Sequence, residues 1–330
     1  MDRSAGTAAH IREPNCVGAL IRNRDNRVYI QRRSLRRRQL PGAWDIVGGH
    51  VNRGEKPEAA LAREVMEETG WQLRRIEAPI ADWEWTHNGV VRRELDYLVE
   101  VNGDLGKPRL ESGKHDKFDW VGFDNINRVR TEYDRGNDVL WTVIRRAARI
   151  RLTSKLRMEP ISASSVEDLR RLYSCGIRAL DGRASHDRDL TAMAAEFDGL
   201  WDKGGGYGWL VFDRSVTAGP AIGYGGLRHR NLSGNQEWVL DCAVPSDGGQ
   251  LHALQEIIQA LLAFARIELQ ARRVIARAEH LDPWAKEVMR RSGMFNSGPH
   301  FYEIGLLGNS RYAVDQREVT GIGQILAVPS

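Results

Sequence analysis

The feature that most constrains this sequence is a segment bounded by a proline and a glycine. Pro57 suits the first turn of a helix, where a backbone N–H is not needed, and Gly70 is a natural helix end. Between them, Glu64, Glu67 and Glu68 follow the spacing i, i+3 and i+4. Residues at this spacing share one face of a helix. The chain must therefore accommodate three neighbouring carboxylates that repel one another.

Two explanations account for such a carboxylate face. Like charges at this spacing cost about 0.2–0.5 kcal/mol per pair, which a solvated surface tolerates. Alternatively, a divalent cation turns the repulsion into a binding site, because Mg²⁺ prefers carboxylate and phosphate oxygens. The residues that we predict to seat the helix on a sheet are Leu61, Ala62, Val65 and Met66.

The residues around the helix decide between these explanations. Gly49 is followed after five residues by Glu55, and after seven more by the segment REVMEETGW, which begins at Arg63. Together with the upstream segment LPGAWDIVGGHV, this spacing resembles the signature of the Nudix hydrolases at every specified position. The resemblance covers roughly residues 14–150.

The resemblance implies an α/β/α sandwich with a mixed sheet. It also implies hydrolysis of a nucleoside diphosphate linked to another group, with Mg²⁺ or Mn²⁺ as cofactor. The implied catalytic metal ligands are Glu64, Glu67 and Glu68. Arg63 would orient a glutamate, Gly49 would let the backbone approach metal and substrate, and Glu55 would support the site. The metal would neutralise the diphosphate and activate the attacking water.

The family usually takes an additional general base from outside this segment. The candidates in this chain precede Trp120 and are Glu111, His115, Asp116 and Asp119. The sequence leaves the choice among them open.

Two weaker features complete the predicted substrate site. Arg33 lies in the basic run RRSLRRR and is predicted to contact a substrate phosphate, although a solvated loop is the alternative. Trp83 and Trp85 share a strand face, and Trp85 is predicted to stack on a nucleobase, with sheet packing as the alternative. The basic run has no interleaved aromatic residues and the net charge is only +4. These observations do not favour a nucleic-acid partner.

The second half of the chain has a different order of elements. Because 330 residues are too many for one ordinary core, we predict two α/β domains, at 1–153 and at 154–330 with a C-terminal tail. The second domain contains a strand EWVLDCAV, a long amphipathic helix LHALQEIIQALLAFARIEL and a later helix PWAKEVMRRSG.

This order of elements resembles the GNAT acyltransferases over roughly residues 156–307. The segments that carry the resemblance are EWVLDCAVPSDGGQLHAL and HLDPWAKEVMRRSGMF. The resemblance implies N-acyl transfer to an amine, with acetyl-CoA as cofactor beside a splayed strand. Val244, Gly249 and Ala253 would bind the cofactor, whose pyrophosphate would lie at a helix start.

Several residues depart from the GNAT pattern. Gly248 replaces a basic or amide residue, Leu251 replaces a glycine, and Met289 replaces the tyrosine that can protonate the leaving thiolate. A methionine cannot donate a proton. Glu237 and Asp241 are candidate bases for an amine. Two hypotheses follow: a bifunctional hydrolase and acyltransferase, or a single hydrolase with a non-catalytic acyl-CoA-binding or scaffold domain.

The remaining sequence features concern location and partners. No apolar run approaches the ~20 residues of a membrane span, and the N-terminus has no apolar signal core. The three cysteines are far apart and odd in number, which argues against a disulfide framework. We therefore predict a cytoplasmic protein with small-molecule partners and no membrane partner. The sequence carries no signal for the oligomeric state.

Overall fold

The computed structural model describes residues 13–87, 89–130, 139–179, 189–216, 219–229, 237–245, 251–277, 283–298 and 301–306. Gly248 and Gly249 of the predicted cofactor loop lie outside the described residues, and so does the tail from residue 307. Within the described ranges, no helix combines the length and apolarity that crossing a membrane requires.

The first half forms two sheets and two helices. Its elements are β1 (Cys16–Ile21), β2 (Val28–Arg33), β3 (Trp44–Asp45), β4 (Val47–His50), α1 (Pro57–Thr69), β5 (Gln72–His87), β6 (Val90–Asn102), β7 (His115–Val121) and α2 (Val139–Arg149). One sheet has the order β4-β1-β6-β5 and the other the order β3-β2-β7. The first sheet is mixed, because β1 is parallel to β6 and antiparallel to β4.

The two helices cover opposite faces of the mixed sheet. Successive side chains of a strand point to opposite faces, and β1 shows this alternation. Val17 packs with Leu61 and Val65 of α1, whereas Leu20 packs with Ile144 of α2. The predicted α/β/α sandwich with a mixed sheet is confirmed.

The prediction of which residues pack α1 against the sheet was partly wrong. Leu61 and Val65 are fully buried, as expected, but Ala62 and Met66 are only half-buried. Their places in the buried face are taken by residues that include the site carboxylates, namely Ala60, Glu64, Glu68 and Thr69. Hydrogen bonds to the two glutamates, described below, make this burial of carboxylates tolerable.

The second half is built on a nine-stranded sheet. Its elements are β8 (Arg151–Leu152), β9 (Leu156–Pro160), α3 (Val166–Ser174), β10 (Ile177–Ala179), α4 (Leu190–Lys203), β11 (Gly206–Asp213), β12 (Ala221–His229), β13 (Glu237–Pro245), α5 (Leu251–Ile267), β14 (Arg273–Arg277), α6 (Pro283–Arg291), β15 (Phe295–Gly298) and β16 (Phe301–Gly305). The strand order is β15-β16-β14-β13-β12-β11-β9-β8, and β10 also pairs with β13. The α/β class predicted for both halves is confirmed.

The two halves meet through buried contacts near the predicted boundary at residues 153 and 154. The strand β8 precedes that boundary, yet it pairs with β9 of the second sheet. Arg151 forms a buried ion pair with Glu268 at 3.3 Å. Arg214 donates hydrogen bonds to both carboxylate oxygens of Glu77, at 2.6 and 2.8 Å. The boundary itself stays a prediction, and side chains of both halves are buried against each other.

Candidate functional site

The helix α1 brings the three predicted metal ligands to one end of the mixed sheet. Glu64 and Glu68 are buried, whereas the side chain of Glu67 is 50% exposed. Glu68 accepts hydrogen bonds from Gln31 Nε2 at 2.6 Å and from the backbone N–H of Gly48 at 3.3 Å. The carboxylate face is therefore held by β2 and β4 and opens to solvent at Glu67.

Gly49 leaves the space that Glu64 occupies. A Cβ atom at position 49 would lie 2.3 Å from both the carboxylate carbon and Oε1 of Glu64. Any other residue would push this carboxylate away. The glycine thus brings the backbone of β4 against a predicted ligand. The approach of this backbone to metal and substrate stays a prediction.

Arg63 connects the predicted site residues to one another. Its Nε and Nη2 donate to the two carboxylate oxygens of Glu55, each at 3.0 Å. Its Nη1 donates to Glu64 Oε1 at 2.6 Å, and Nη2 also donates to the backbone carbonyl of His50 at 2.9 Å. The arginine therefore fixes both glutamates relative to the end of β4.

The chemistry of this donor set fits a hard divalent cation. Among the described residues, no group of three His, Cys, Asp or Glu side chains is arranged to hold a metal ion. Glu64 is engaged by Arg63. Burial is the largest cause that raises the pKa of Glu68 to about 8. The negative charges of Asp45 and Glu64 raise this pKa further, whereas the hydrogen bond from Gln31 lowers it. A site with surplus negative charge and carboxylate oxygens is what Mg²⁺ or Mn²⁺ prefers.

Three of the four candidate bases are engaged in ion pairs. Glu111 pairs with Lys114 at 2.8 Å. Asp116 pairs with Arg32 at 2.7 Å, and Asp119 pairs with Arg128 at 2.8 Å. The choice of a general base among these residues stays a prediction.

His115, the fourth candidate, is buried on β7. Burial is the largest cause that lowers its pKa to about 4, and the positive charges of Arg33 and Arg37 contribute. The imidazole is therefore neutral at pH 7, and protonating it in the folded protein is costly.

We expect His115 to make the protein sensitive to acid. Below its ordinary pKa of 6.5 the unfolded chain binds a proton, whereas folded His115 does so only near pH 4. The unfolded state then binds more protons, so the free energy of unfolding should fall by about 3 kcal/mol as the pH drops from 6.5 to 4. Urea unfolding across this range should show a smaller loss in His115→Gln. Equal losses in wild type and variant would contradict the prediction, and the exposed His252→Gln serves as control.

On β5 and β6, two tryptophans and two acids form a cluster that we term the tryptophan face: Trp83, Trp85, Glu94 and Asp96. The ring centroids of Trp83 and Trp85 are 6.5 Å apart, so the tryptophans lie together, as expected. Trp83 Nε1 donates to Asp96 and Trp85 Nε1 donates to Glu94, each at 2.7 Å. Sequence reasoning missed both acids, although their i, i+2 spacing opposite the tryptophans of the same hairpin could have indicated them.

The predicted phosphate-binding residue Arg33 has a carboxylate as partner. Its Nη1 donates to Asp45 at 2.9 Å, and its Nε donates to the carbonyl of Gln39 at 3.1 Å. Burial raises the pKa of Asp45 and the charge of Arg33 opposes this effect. The predicted contact of Arg33 with a substrate phosphate stays a prediction.

In the second domain, the edge of β13 that carries Val244 is already paired. Ala243 pairs with Tyr224 of β12 on one side and with Ala179 of β10 on the other, and Val244 pairs with Arg178. The parallel pairing with β14 ends at Leu240. The strand β10 thus continues the sheet beside β13 where β14 leaves it.

The other predicted residues of the second domain have structural partners. Met289 is fully buried in the core, and Ala253 is 8% exposed on α5. Asp241 accepts a hydrogen bond from the Tyr224 hydroxyl at 3.2 Å. Glu237 forms an ion pair with Arg273 at 3.3 Å.

Comparisons with known proteins find a different family in each half of the chain. A NUDIX domain model matches residues 12–140, and an acetyltransferase (GNAT) domain model matches residues 155–295. An RNA pyrophosphohydrolase from Bartonella clarridgeiae is 36% identical over 113 residues, which cover 32% of this chain and 60% of that protein. An RNA pyrophosphohydrolase from Roseobacter denitrificans is 37% identical over 128 residues, which cover 38% of this chain and 74% of that protein.

A solved structure resembles the second half. The ribosomal-protein-S5-alanine acetyltransferase from Vibrio fischeri is 9% identical, with a TM-score of 0.40, and the match covers 48% of this chain and 96% of that one. The two family matches do not overlap, and residues 141–154 lie between them. The chain therefore belongs to the Nudix hydrolases through its first half and carries a GNAT acetyltransferase domain in its second half.

Proposed function

We propose that the first domain hydrolyses the diphosphate of a nucleoside-diphosphate-linked substrate. The observation that carries this proposal is the carboxylate face of α1, with Glu64 packed against Gly49 and Glu67 open to solvent. Glu64, Glu67 and Glu68 would hold Mg²⁺ or Mn²⁺. When bound, the metal would neutralise charge on the diphosphate and favour attack of water on phosphorus.

The surrounding residues have defined tasks in this proposal. Arg63 keeps Glu64 and Glu55 in fixed positions through four hydrogen bonds, one of which goes to the carbonyl of His50. Gly49 gives the phosphates access to the backbone beside Glu64. Preorganised groups of this kind need no rearrangement when charge develops on the reacting phosphate.

The remainder of the substrate would extend over the neighbouring sheet. Trp85 is half-buried and would stack on the nucleobase, while Arg33 would contact a phosphate or balance the charge of Asp45. The cysteines Cys16, Cys175 and Cys242 are all free. Free thiols suit a reducing compartment, so we propose the cytoplasm as the site of action.

Phosphate release from a substrate panel tests the proposed hydrolysis. The panel should contain nucleoside triphosphates, oxidised nucleotides, nucleotide sugars, ADP-ribose and dinucleoside polyphosphates. RNA with a 5′-triphosphate belongs in it because two similar proteins are named RNA pyrophosphohydrolases. Linked substrates would be treated with phosphatase after the reaction, so that newly exposed phosphates are counted. Release that requires Mg²⁺ or Mn²⁺ is expected for at least one class, and no release from any class would refute the proposal.

N-acyl transfer by the second domain is the second candidate activity, and the match to the acetyltransferase domain model favours it. Two observations weigh against an efficient transferase and favour the non-catalytic alternative. Met289 cannot protonate a leaving thiolate, and β10 occupies the edge of β13 at Val244.

We therefore expect weak binding of acetyl-CoA and slow transfer to amines. General acid catalysis typically accelerates a reaction ~10²–10⁴-fold. Without another proton donor in place of the tyrosine, acyl transfer would be slower by this factor. Calorimetric titration of full-length Glu67→Gln with acetyl-CoA, followed by an amine-acetylation assay, measures both properties. This variant prevents hydrolysis of the cofactor by the first domain, and ADP serves as a control ligand for that site. Tight binding that ADP does not displace, combined with rapid acetylation, would show that the second domain is a working transferase.

A further inference from the structure

An uncharged side chain holds the most deeply buried of the three predicted metal ligands. Gln31 of β2 is fully buried, and its Nε2 atom donates to Glu68 Oε2 at 2.6 Å. The backbone N–H of Gly48 donates to the same oxygen at 3.3 Å. Both hydrogen bonds end on Oε2, so they fix the direction of the carboxylate and leave its Oε1 atom to a metal ion.

The two buried carboxylates of α1 are held by donors of different charge. Glu64 accepts from Arg63, which is a cation, at 2.6 Å. Gln31 is a neutral amide, so it adds a hydrogen-bond donor beside Glu68 without adding a counter-charge. A donated hydrogen bond favours the ionised form of a carboxylate, which is the form that binds a metal. The amide therefore supports Glu68 as a ligand and does not take the place of the metal ion.

The other end of the same amide has no partner. Within the part of the chain that the structure describes, Oε1 of Gln31 is buried and accepts no hydrogen bond. A buried acceptor without a partner costs stability, and an apolar side chain of similar shape would avoid this cost. Such a group requires an explanation. The hydrogen bond that Nε2 donates to Glu68 supplies one.

The amide is held in a rigid part of the fold. The strand β2 lies between β3 and β7, and Gln31 pairs with Asp45 on one side and with Phe118 on the other. Tyr29 precedes Gln31 by two residues and therefore lies on the same face. Its ring packs edge-on against Trp71, with ring centroids 5.1 Å apart. A donor on a central strand is preorganised, so it can hold a ligand in place before the metal binds.

We propose that Gln31 is a positioning residue that sets the metal affinity of the site by orienting Glu68. This inference rests on the metal site of the proposed function. Partners that orient a metal ligand typically contribute ~10–100-fold to metal affinity or activity. Gln31 acts through the carboxylate of Glu68, and no contact with the substrate is assigned to it.

Metal binding in the absence of substrate tests this role. Calorimetric titration of the full-length protein with Mn²⁺ should show binding that is roughly 10–100-fold weaker in Gln31→Met than in the wild type. Methionine fills a similar space but has no N–H to donate. Gln31→Asn keeps an amide that is one methylene group shorter, so it should also bind Mn²⁺ more weakly. The metal-free melting temperature of each variant shows that it is folded.

Thr69→Val is the matched control for a purely structural loss. Thr69 is 1% exposed and follows Glu68 on the same helix. Its hydroxyl donates to the carbonyl of Val65 at 2.6 Å and accepts from the backbone N–H of Trp71 at 3.1 Å. Its removal should change the metal-free melting temperature and leave the Mn²⁺ affinity unchanged. Wild-type affinity in both Gln31 variants, or an equal loss of affinity in Thr69→Val, would overturn the inference.

The dependence of turnover on metal concentration gives a second readout. Gln31→Met should regain most of the wild-type kcat at saturating Mn²⁺, because all three carboxylates are still present, whereas Glu68→Gln should stay slow. A kcat of Gln31→Met that stays low at saturating Mn²⁺ would contradict a role through metal affinity.

The two measurements separate this inference from the proposed function. Mn²⁺ affinity that depends on Gln31, in a protein that hydrolyses none of the substrate panel, would support the positioning role and refute the proposed hydrolysis. Hydrolysis with unchanged Mn²⁺ affinity in both Gln31 variants would have the opposite meaning. A wild-type protein that binds no Mn²⁺ would remove the metal assignment and this inference together.

Discussion

Replacing Glu67 or Glu68 with glutamine is expected to reduce phosphate release by at least about 100-fold while the protein stays folded. Partners that only orient a metal ligand are already worth ~10–100-fold, so loss of a ligand should cost no less. Glutamine at position 68 keeps an oxygen that can accept the hydrogen bonds from Gln31 and Gly48. Glu67 is half exposed, so its replacement leaves the core unchanged.

The measurement pairs activity with a metal-dependent shift of the melting temperature. A ligand that binds only the folded state raises the melting temperature, so Mg²⁺ or Mn²⁺ should stabilise the wild type more than either variant. Glu58→Gln is a matched control, because Glu58 is exposed in the first turn of the same helix. Turnover near that of the wild type in both Glu67→Gln and Glu68→Gln would remove the metal assignment.

The helix that carries the predicted metal ligands was predicted well. The helix α1 spans Pro57–Thr69, and its end residue Gly70 adopts a left-handed conformation with φ of 72°. Proline at the start and glycine at the end act through the backbone of their own turns. The bounds of this helix, and with them the spacing of its carboxylates, could therefore be predicted from the sequence.

Features that depend on distant segments were not predictable in the same way. The segment WDIVGGH reads as one strand, yet Trp44 pairs with Arg32 of β2 and Val47 pairs with Ala19 of β1, in two different sheets. Local alternation of apolar residues does not reveal which strand will be the neighbour. Ala62 and Met66 were expected to pack α1 against the sheet, but the buried face of the helix contains Glu64 and Glu68 instead. Hydrogen bonds from β2 and β4 compensate the cost of burying the carboxylate of Glu68.

The acids of the tryptophan face illustrate the same limit. Glu94 and Asp96 alternate with apolar residues in the segment ELDYLVE, a pattern that also fits a solvent-facing strand. Only the antiparallel register with Trp83 and Trp85 shows that both acids face tryptophans. The contact of these acids with the tryptophans therefore emerges from strand pairing and not from composition.

The ion pair of Arg214 with Glu77 joins residues that lie far apart in the sequence. Arg214 follows β11 of the second domain, and Glu77 lies on β5 of the first, 137 residues earlier in the chain. The side chains of Arg214 and Glu77 are 8% and 1% exposed. Arg214 also contacts Glu100 of β6 and donates to the carbonyl of Thr153. One guanidinium thus joins two strands of the first domain to the second.

Replacing Arg214 with alanine is expected to lower the free energy of unfolding by about 3–5 kcal/mol, because the buried Glu77 would be left with the half-exposed Arg75, 3.9 Å away, in place of the close contact with Arg214. Urea unfolding of the full-length protein measures the loss, and a second transition would appear if the halves then unfold separately. The double variant Glu77→Gln with Arg214→Met removes both charges and should lose less than Arg214→Ala. Arg170→Ala is the control, because the exposed pair of Arg170 with Glu167 should contribute about 0–1 kcal/mol. If Arg214→Ala cost no more than this control, the contact of Arg214 with Glu77 would not contribute to binding the domains to each other.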